Sequence, residues 1–194
     1  MISLKDHSAL FAWLGLVAVV VFAMAWICAA SVDTAWHFGV NNLSEFGISD
    51  TAARSYFNYG CMITGILVTV FGAGRTAFAI NIGHALGGAL LFSGGIALAL
   101  IGVYTMAPET NEIHVIVALT AAVFIFAAIV AITFGNWYAN RKLLAGIGIV
   151  VIFCMIPIAL FLNIPSIEGY GIILALIWLT AESASMLIYK KKDY

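Results

Sequence analysis

Three side chains with the makings of hydrolytic or transfer chemistry lie in two polar intervals of the sequence. Ser44 and Glu45 fall in the run 31–56, SVDTAWHFGVNNLSEFGISDTAARSY, and His114 follows Pro108 in the run GVYTMAPETNEIH. A neutral imidazole exchanges protons near pH 7, so His114 is the natural general base, with Ser44 or Glu45 as nucleophile or orienting group. Asn111 as helix N-cap and Glu112 in the first turn would set His114 at a helix N-terminus, where the dipole favours the uncharged ring. No spacing forces the three to meet; only a fold-back of the first interval over the second would do so. That fold-back is expected, because Trp36, Phe38, Val40, Leu43, Phe46 and Ile48 need burial and Gly47 can close a short helical turn.

Glu182, in TAESAS, is a carboxylate inside an apolar run. An acid at membrane depth is costly, so it marks either function or a hydrogen-bonded tie, with His84, Asn58 or a backbone carbonyl as partner. The binding candidates are Asn42, Asn58, Glu109, Glu112 and Glu182. Metal chemistry is not expected: Cys28, Cys61 and Cys154 are scattered and read as free thiols. The histidines His84 and His114 fall near opposite ends of their spans, so they cannot clamp one haem. GAGRTA at 72–77 matches a dinucleotide fingerprint in letters only, since it follows a membrane helix and not a strand. Nothing in the sequence names a cofactor.

The elements that must position these groups are hydrophobic helices. Of 194 residues, 64% are hydrophobic and 9% charged, far from soluble averages of about 45–50% and about 25%. Six apolar runs, at about 10–30, 57–75, 82–106, 113–134, 143–162 and 170–189, are each long enough to cross about 30 Å of hydrocarbon. A backbone without water partners must be helical there. The expected fold is therefore all-α: one six-span transmembrane bundle with an interfacial first outer loop. The net charge of −1 says nothing about nucleic acid, but there is no basic patch to track phosphates, so no nucleic acid is expected as a partner.

Seven of the eight basic residues (Lys5, Arg75, Arg141, Lys142, Lys190, Lys191 and Lys192) fall in the tails and even-numbered loops; Arg54 alone falls opposite. The positive-inside rule then puts both termini in the cytoplasm and makes this a multi-pass protein of the cytoplasmic membrane. The odd-numbered loops face out with Asp33, Glu45, Asp50, Glu109, Glu112 and Glu168. In the third span, Gly83 and Gly87 are four apart and Gly88, Gly95 and Gly102 seven apart, which predicts a central helix in close backbone contact with a neighbour.

The run Ser44-Glu45-Phe46-Gly47, with Phe57-Asn58-Tyr59-Gly60 and Gly65, resembles the S-E-L-G … F-N-x-G-F … G pattern of small six-helix prokaryotic membrane proteins catalogued as domain of unknown function 998. Gly102 through Pro108 to His114 is similar to that family's G-x-F-P … H loop, and Glu182 to the Glu of its G-L-x-E-R pattern. Ser183 stands where the pattern has Arg, which removes the neighbouring cation as a partner for Glu182, and the loop proline is displaced. The resemblance spans about 41–182. It implies a membrane protein and no settled activity, and it groups Ser44, Glu45, Asn58, His114 and Glu182 as one set of site residues.

The reading that follows is an integral membrane protein with an outward-facing polar site that acts on, or binds, a lipid or lipid-linked substrate. A small carrier with Glu182 along its path, and a structural subunit of a membrane complex, are the alternatives. The residue types do not decide whether it is an enzyme. Membrane lipid is the expected partner, with room left for a homo-oligomer or a membrane-complex partner.

Overall fold

The computed structural model describes residues 4–189 and consists, over that range, of helices and their connections. The elements are α1 (Leu4–Val32), a short 3-10 helix (Leu43–Ile48), α2 (Ala53–Ala77), α3 (Ile82–Ile101), α4 (Asn111–Tyr138), α5 (Lys142–Phe161) and α6 (Ile164–Tyr189). Six of them are long and apolar enough to cross a membrane. Six antiparallel crossings return the chain to the end it started from. That end is called proximal below, and the end carrying residues 33–52 distal.

The helices begin and end a few residues away from the expected bounds, α1 starting at Leu4, α2 at Ala53 and α4 ending at Tyr138; two of the differences bear on the site. α3 stops at Ile101 instead of running to 106; Tyr104 and Val103 close the turn by donating to Leu100 O at 2.8 and 3.0 Å. α6 begins at Ile164, ahead of the expected 170. Asn163 caps it by accepting the Ser166 N–H at 3.1 Å, and Pro165 is tolerated in the first turn, where its missing N–H costs nothing. The early start brings Glu168 out of a loop and into α6. The side chains of Lys5, Tyr189 and Lys190–Lys192 lie outside the described residues.

Consecutive helices pack against one another, and α1 closes the ring against α6. The tightest seam joins α2 to α3. A Cβ on Gly65 or Gly72 would run into the α3 backbone at Gly95–Ala99 or Gly88–Phe92, and one on Gly88 or Gly95 would run into α2 at Thr76 or Thr69. Small residues at seven-residue spacing on both helices make that approach. The main apolar core, with Phe71, Leu91, Ile129, Ile132 and Trp178, fills the middle and proximal part of the ring. α5 is held less tightly. It touches α4 closely at the proximal end, where Gly148 lies against Thr133, and its distal half presents Phe153, Leu160 and Phe161 outward at 70%, 70% and 81% exposure. Pro157 sits in that half, so one backbone hydrogen bond of α5 is missing there.

Segment 33–52 folds back over the distal end, as its apolar content requires. Trp36 packs on Phe46 with ring centroids 4.6 Å apart, and Phe38 meets Tyr170 of α6 edge-on at 5.1 Å. Trp36 Nε1 donates to Asn42 O at 3.0 Å, and Asn163 Nδ2 donates to Gly39 O at 3.0 Å. Gly39 has φ +75, a turn conformation that glycine adopts without strain.

Candidate functional site

The 3-10 helix forms a roof, and Glu45 sets its shape. Glu45 Oε1 accepts the Asn42 N–H at 2.7 Å, and Oε2 accepts from Asn41 Nδ2 at 2.8 Å. This is one arm of a capping box, which satisfies a backbone donor that the short helix would leave orphaned. From below, Glu168 Oε2 on α6 accepts the Leu43 N–H at 2.7 Å. Asn58 Nδ2 on α2 donates to Gly47 O at 3.1 Å. Gly47 therefore lies inside the turn, and not at its end as a cap; a side chain there would collide with Asn58. Two backbone groups of the roof, the Leu43 N–H and the Gly47 carbonyl, are thus pinned to fixed helices. Leu43, Ser44, Phe46 and Gly47 are all buried.

Beneath the roof is a cavity of about 450 Å³. Its wall is almost wholly apolar. Phe57 and Cys61 of α2, Leu98 and Ile101 of α3, Ala121 and Ile125 of α4, Met155 of α5, and Gly171, Ile172 and Ala175 of α6 form it. Polar side chains enter at one place only, the roof, as Ser44 and Glu168. On the α4–α5 side the wall is made by Ala122, Phe126, Ile156 and Ala159, all of them exposed. The cavity therefore opens sideways, at bilayer depth, through the gap where the distal half of α5 parts from α4.

The sequence-selected residues divide into three groups. Ser44 is on the cavity wall and Glu45 shapes the roof above it. His114 is buried on the first turn of α4, where its Nδ1 pairs with Tyr104 O at 2.8 Å, and it does not line the cavity. No hydrogen bond links Ser44, Glu45 and His114 among the described residues. Asn42 and Asn58 belong to the roof, and each keeps a buried Oδ1 without a partner. Glu109 and Glu112 are exposed at the distal surface. The arrangement offers a polar anchor and an apolar sleeve, and no nucleophile–base hydrogen bond occurs in it among the described residues.

Glu182 belongs elsewhere, near the proximal end, and it has the cationic partner that Ser183 cannot supply. Arg75 of α2 donates from Nη2 to Glu182 Oε2 at 2.9 Å, and both side chains are buried. Glu182 Oε1 accepts from Asn136 Nδ2 of α4 at 2.6 Å. Asn136 Oδ1 in turn meets His84 Nε2 of α3 at 3.0 Å. His84 thus reaches Glu182 through Asn136, and Asn58, at the distal end, takes no part. An ion pair at this depth tolerates desolvation better when its remaining oxygens are hydrogen-bonded; Asn136 satisfies the second oxygen of Glu182 and is itself held by His84. The network ties four helices together across the ring and closes the proximal end beneath the cavity.

Sequence reasoning passed over Glu168, Arg75 and Asn136. By its place in the sequence Glu168 reads as a loop acid, although Asn163–Ile164–Pro165 is a readable helix start. Arg75 reads as a loop cation; its position in GAGRTA, among residues as small as those of a packing seam, is the signal that it could be buried. Cys28, Cys61 and Cys154 are free thiols, and Cys61 faces the cavity. No cluster of three or more His, Cys, Asp or Glu suited to a metal ion occurs among the described residues.

Comparison with curated proteins and with solved structures finds no match for this chain. A family model described as "Protein of unknown function (DUF998)" matches residues 16–185. That match takes in five of the six helices whole or nearly so, most of α1, the roof, the cavity and the Arg75–Glu182 network, and the chain is a member of the DUF998 family of integral membrane proteins.

Proposed function

We propose that this protein binds a membrane amphiphile, with an alkyl chain in the cavity and the polar end at Ser44 and Glu168. One observation carries the reading: an apolar cavity whose polar wall residues gather at its roof, and whose side opening lies between two membrane helices. Apolar pockets with a few convergent polar groups are the usual form of ligand sites. Here the opening faces acyl chains and not water, so the occupant comes from the bilayer. At roughly 30 Å³ per water-sized group, about 450 Å³ takes about fifteen such groups, the size of one alkyl chain.

In this reading the distal end faces outward from the cytoplasmic membrane and both termini lie inside. Arg75 and Arg141 are buried and act as core groups, so exposed Lys142 and the lysines of the two tails support the orientation against Arg54. Ser44 contacts the headgroup, Glu45 and Asn58 hold the roof, and His114 holds the turn at 102–110 to α4.

Gly171→Phe tests the reading. Gly171 lines the cavity, and a Cβ there meets nothing within 4 Å, so the ring enters free space without straining α6. The variant should fold as the wild type does and should lose lipid that co-purifies with the wild type, read by native mass spectrometry of protein released from nanodiscs. Undiminished lipid on a folded Gly171→Phe protein would overturn it.

A further inference from the structure

The roof of the cavity offers acceptors and negative charge. Glu168 presents its carboxylate there, already holding the Leu43 N–H through Oε2. Ser44 adds a hydroxyl, and the Oδ1 atoms of Asn42 and Asn58 are buried in the roof without a donor, although neither lines the cavity. No lysine or arginine lines the cavity. The surrounding distal surface has the same sign: Asp33, Glu45, Asp50, Glu109 and Glu112 stand with Glu168 against Arg54. Such a field concentrates cations and repels anions, and a headgroup placed beside a partly desolvated carboxylate feels it most strongly.

From this we infer that the amphiphile is one bearing a protonated amine at its polar end, held by Glu168 with Ser44 as second acceptor. The inference rests on the cavity-binding reading above and adds the headgroup class to it. An acidic headgroup would place its charge against Glu168 with no counter-ion in reach. A neutral alcohol would satisfy Ser44 and leave the carboxylate uncompensated. A long-chain amine meets both demands, and its chain fills the sleeve below.

The test uses full-length protein in phosphatidylcholine nanodiscs, titrated with an alkylamine, an alkyl phosphate and an alkyl alcohol of equal chain length, with binding read by native mass spectrometry. The amine should bind about tenfold more tightly than either of the others, the effect of one partly desolvated charge pair. Glu168→Gln keeps an oxygen for the Leu43 N–H and so preserves the roof. It should erase the preference for the amine while leaving the affinity for the alcohol within about twofold of wild type. Ser44→Ala gives a second readout, weakening amine and alcohol together. Equal binding of the three by the wild-type protein, or tighter binding of the phosphate, would overturn the headgroup assignment and leave the cavity reading standing. If none of the three binds, or if Gly171→Phe binds them as the wild type does, the cavity reading itself fails, and the headgroup assignment with it.

Discussion

Arg75 and Glu182 lie on helices that are not neighbours in the ring, and a bond of 2.9 Å joins their side chains. The pair spans the interior and, with Asn136 and His84, replaces apolar packing at the proximal end by a directional tie. Glu168 sits on the same helix, fourteen residues earlier, about 21 Å away at 1.5 Å per residue. One helix therefore carries the anchor of the roof at one end and the centre of the tie at the other.

Removing one charge of this pair breaks the tie. Glu182→Gln should cost about 3–5 kcal/mol, because the buried Arg75 would lose the Glu182 carboxylate as its counter-charge. The expected outcome is a large fall in thermal stability in detergent. Replacing both residues by methionine should recover much of the loss, since an apolar pair of similar volume carries no desolvation penalty. Glu182→Gln melting with the wild type would show that the charge of Glu182 is not needed.

Asn136 is the second arm of the tie. Asn136→Leu leaves a Glu182 oxygen and His84 Nε2 without their partners, at about 1–3 kcal/mol for each buried polar group. The effect should be non-additive with Glu182→Gln, since both changes break one network. Independent, additive losses in thermal melts of the double variant would remove Asn136 from the network.

The α2–α3 seam admits no side chain. Gly72→Ala drives a Cβ into the backbone of Leu91 and Phe92, and backbone cannot move aside as a flexible side chain can. A loss of about 1–3 kcal/mol is expected, against no loss for Gly146→Ala, where a Cβ meets nothing within 4 Å. Thermal melts of the two variants side by side give the comparison.

Much of this was legible in the sequence, for physical reasons. The bilayer leaves a long apolar run no choice but helix, so all six spans could be read from composition. The spacing of Gly88, Gly95 and Gly102 announced a close contact, and the aromatic residues of segment 33–52 announced its fold-back. What stayed hidden was pairing across the ring. Arg75 and Glu182 are 107 positions apart, and no periodicity within a helix says which distant helix it faces. Ser44 and Glu45 stand out in the sequence for reactivity, yet Glu45 caps a turn and Ser44 lines a cavity whose volume depends on how α4 and α5 diverge. Residue type alone carries no information about that divergence.

The orientation can be checked at two exposed positions. In a protein lacking its native cysteines, a cysteine replacing Glu109 should react with an impermeant maleimide added outside intact cells. One replacing Asn140, in the connection between α4 and α5, should react only after the cells are opened. Labelling of Asn140→Cys in intact cells would invert the assignment.

His114 decides between a binding protein and a hydrolytic one. In the structure its Nδ1 is committed to Tyr104 O, so the ring holds the turn at 102–110 against the start of α4. His114→Ala should therefore lower stability by about 1–3 kcal/mol, the cost of a buried carbonyl left without its partner. It should leave alkylamine binding within about twofold of wild type once the protein is held well below its melting temperature. Ser44→Ala should do the reverse, weakening binding while shifting the melt by no more than about 0.5 kcal/mol. A catalytic pair behaves differently from both. Each substitution would then abolish turnover of a chromogenic long-chain ester, the double variant would be no worse than either single one, and stability would hardly change. Ester turnover by the wild type, lost on either substitution without a shift in melting, is the result that would make His114 a base and not a tie.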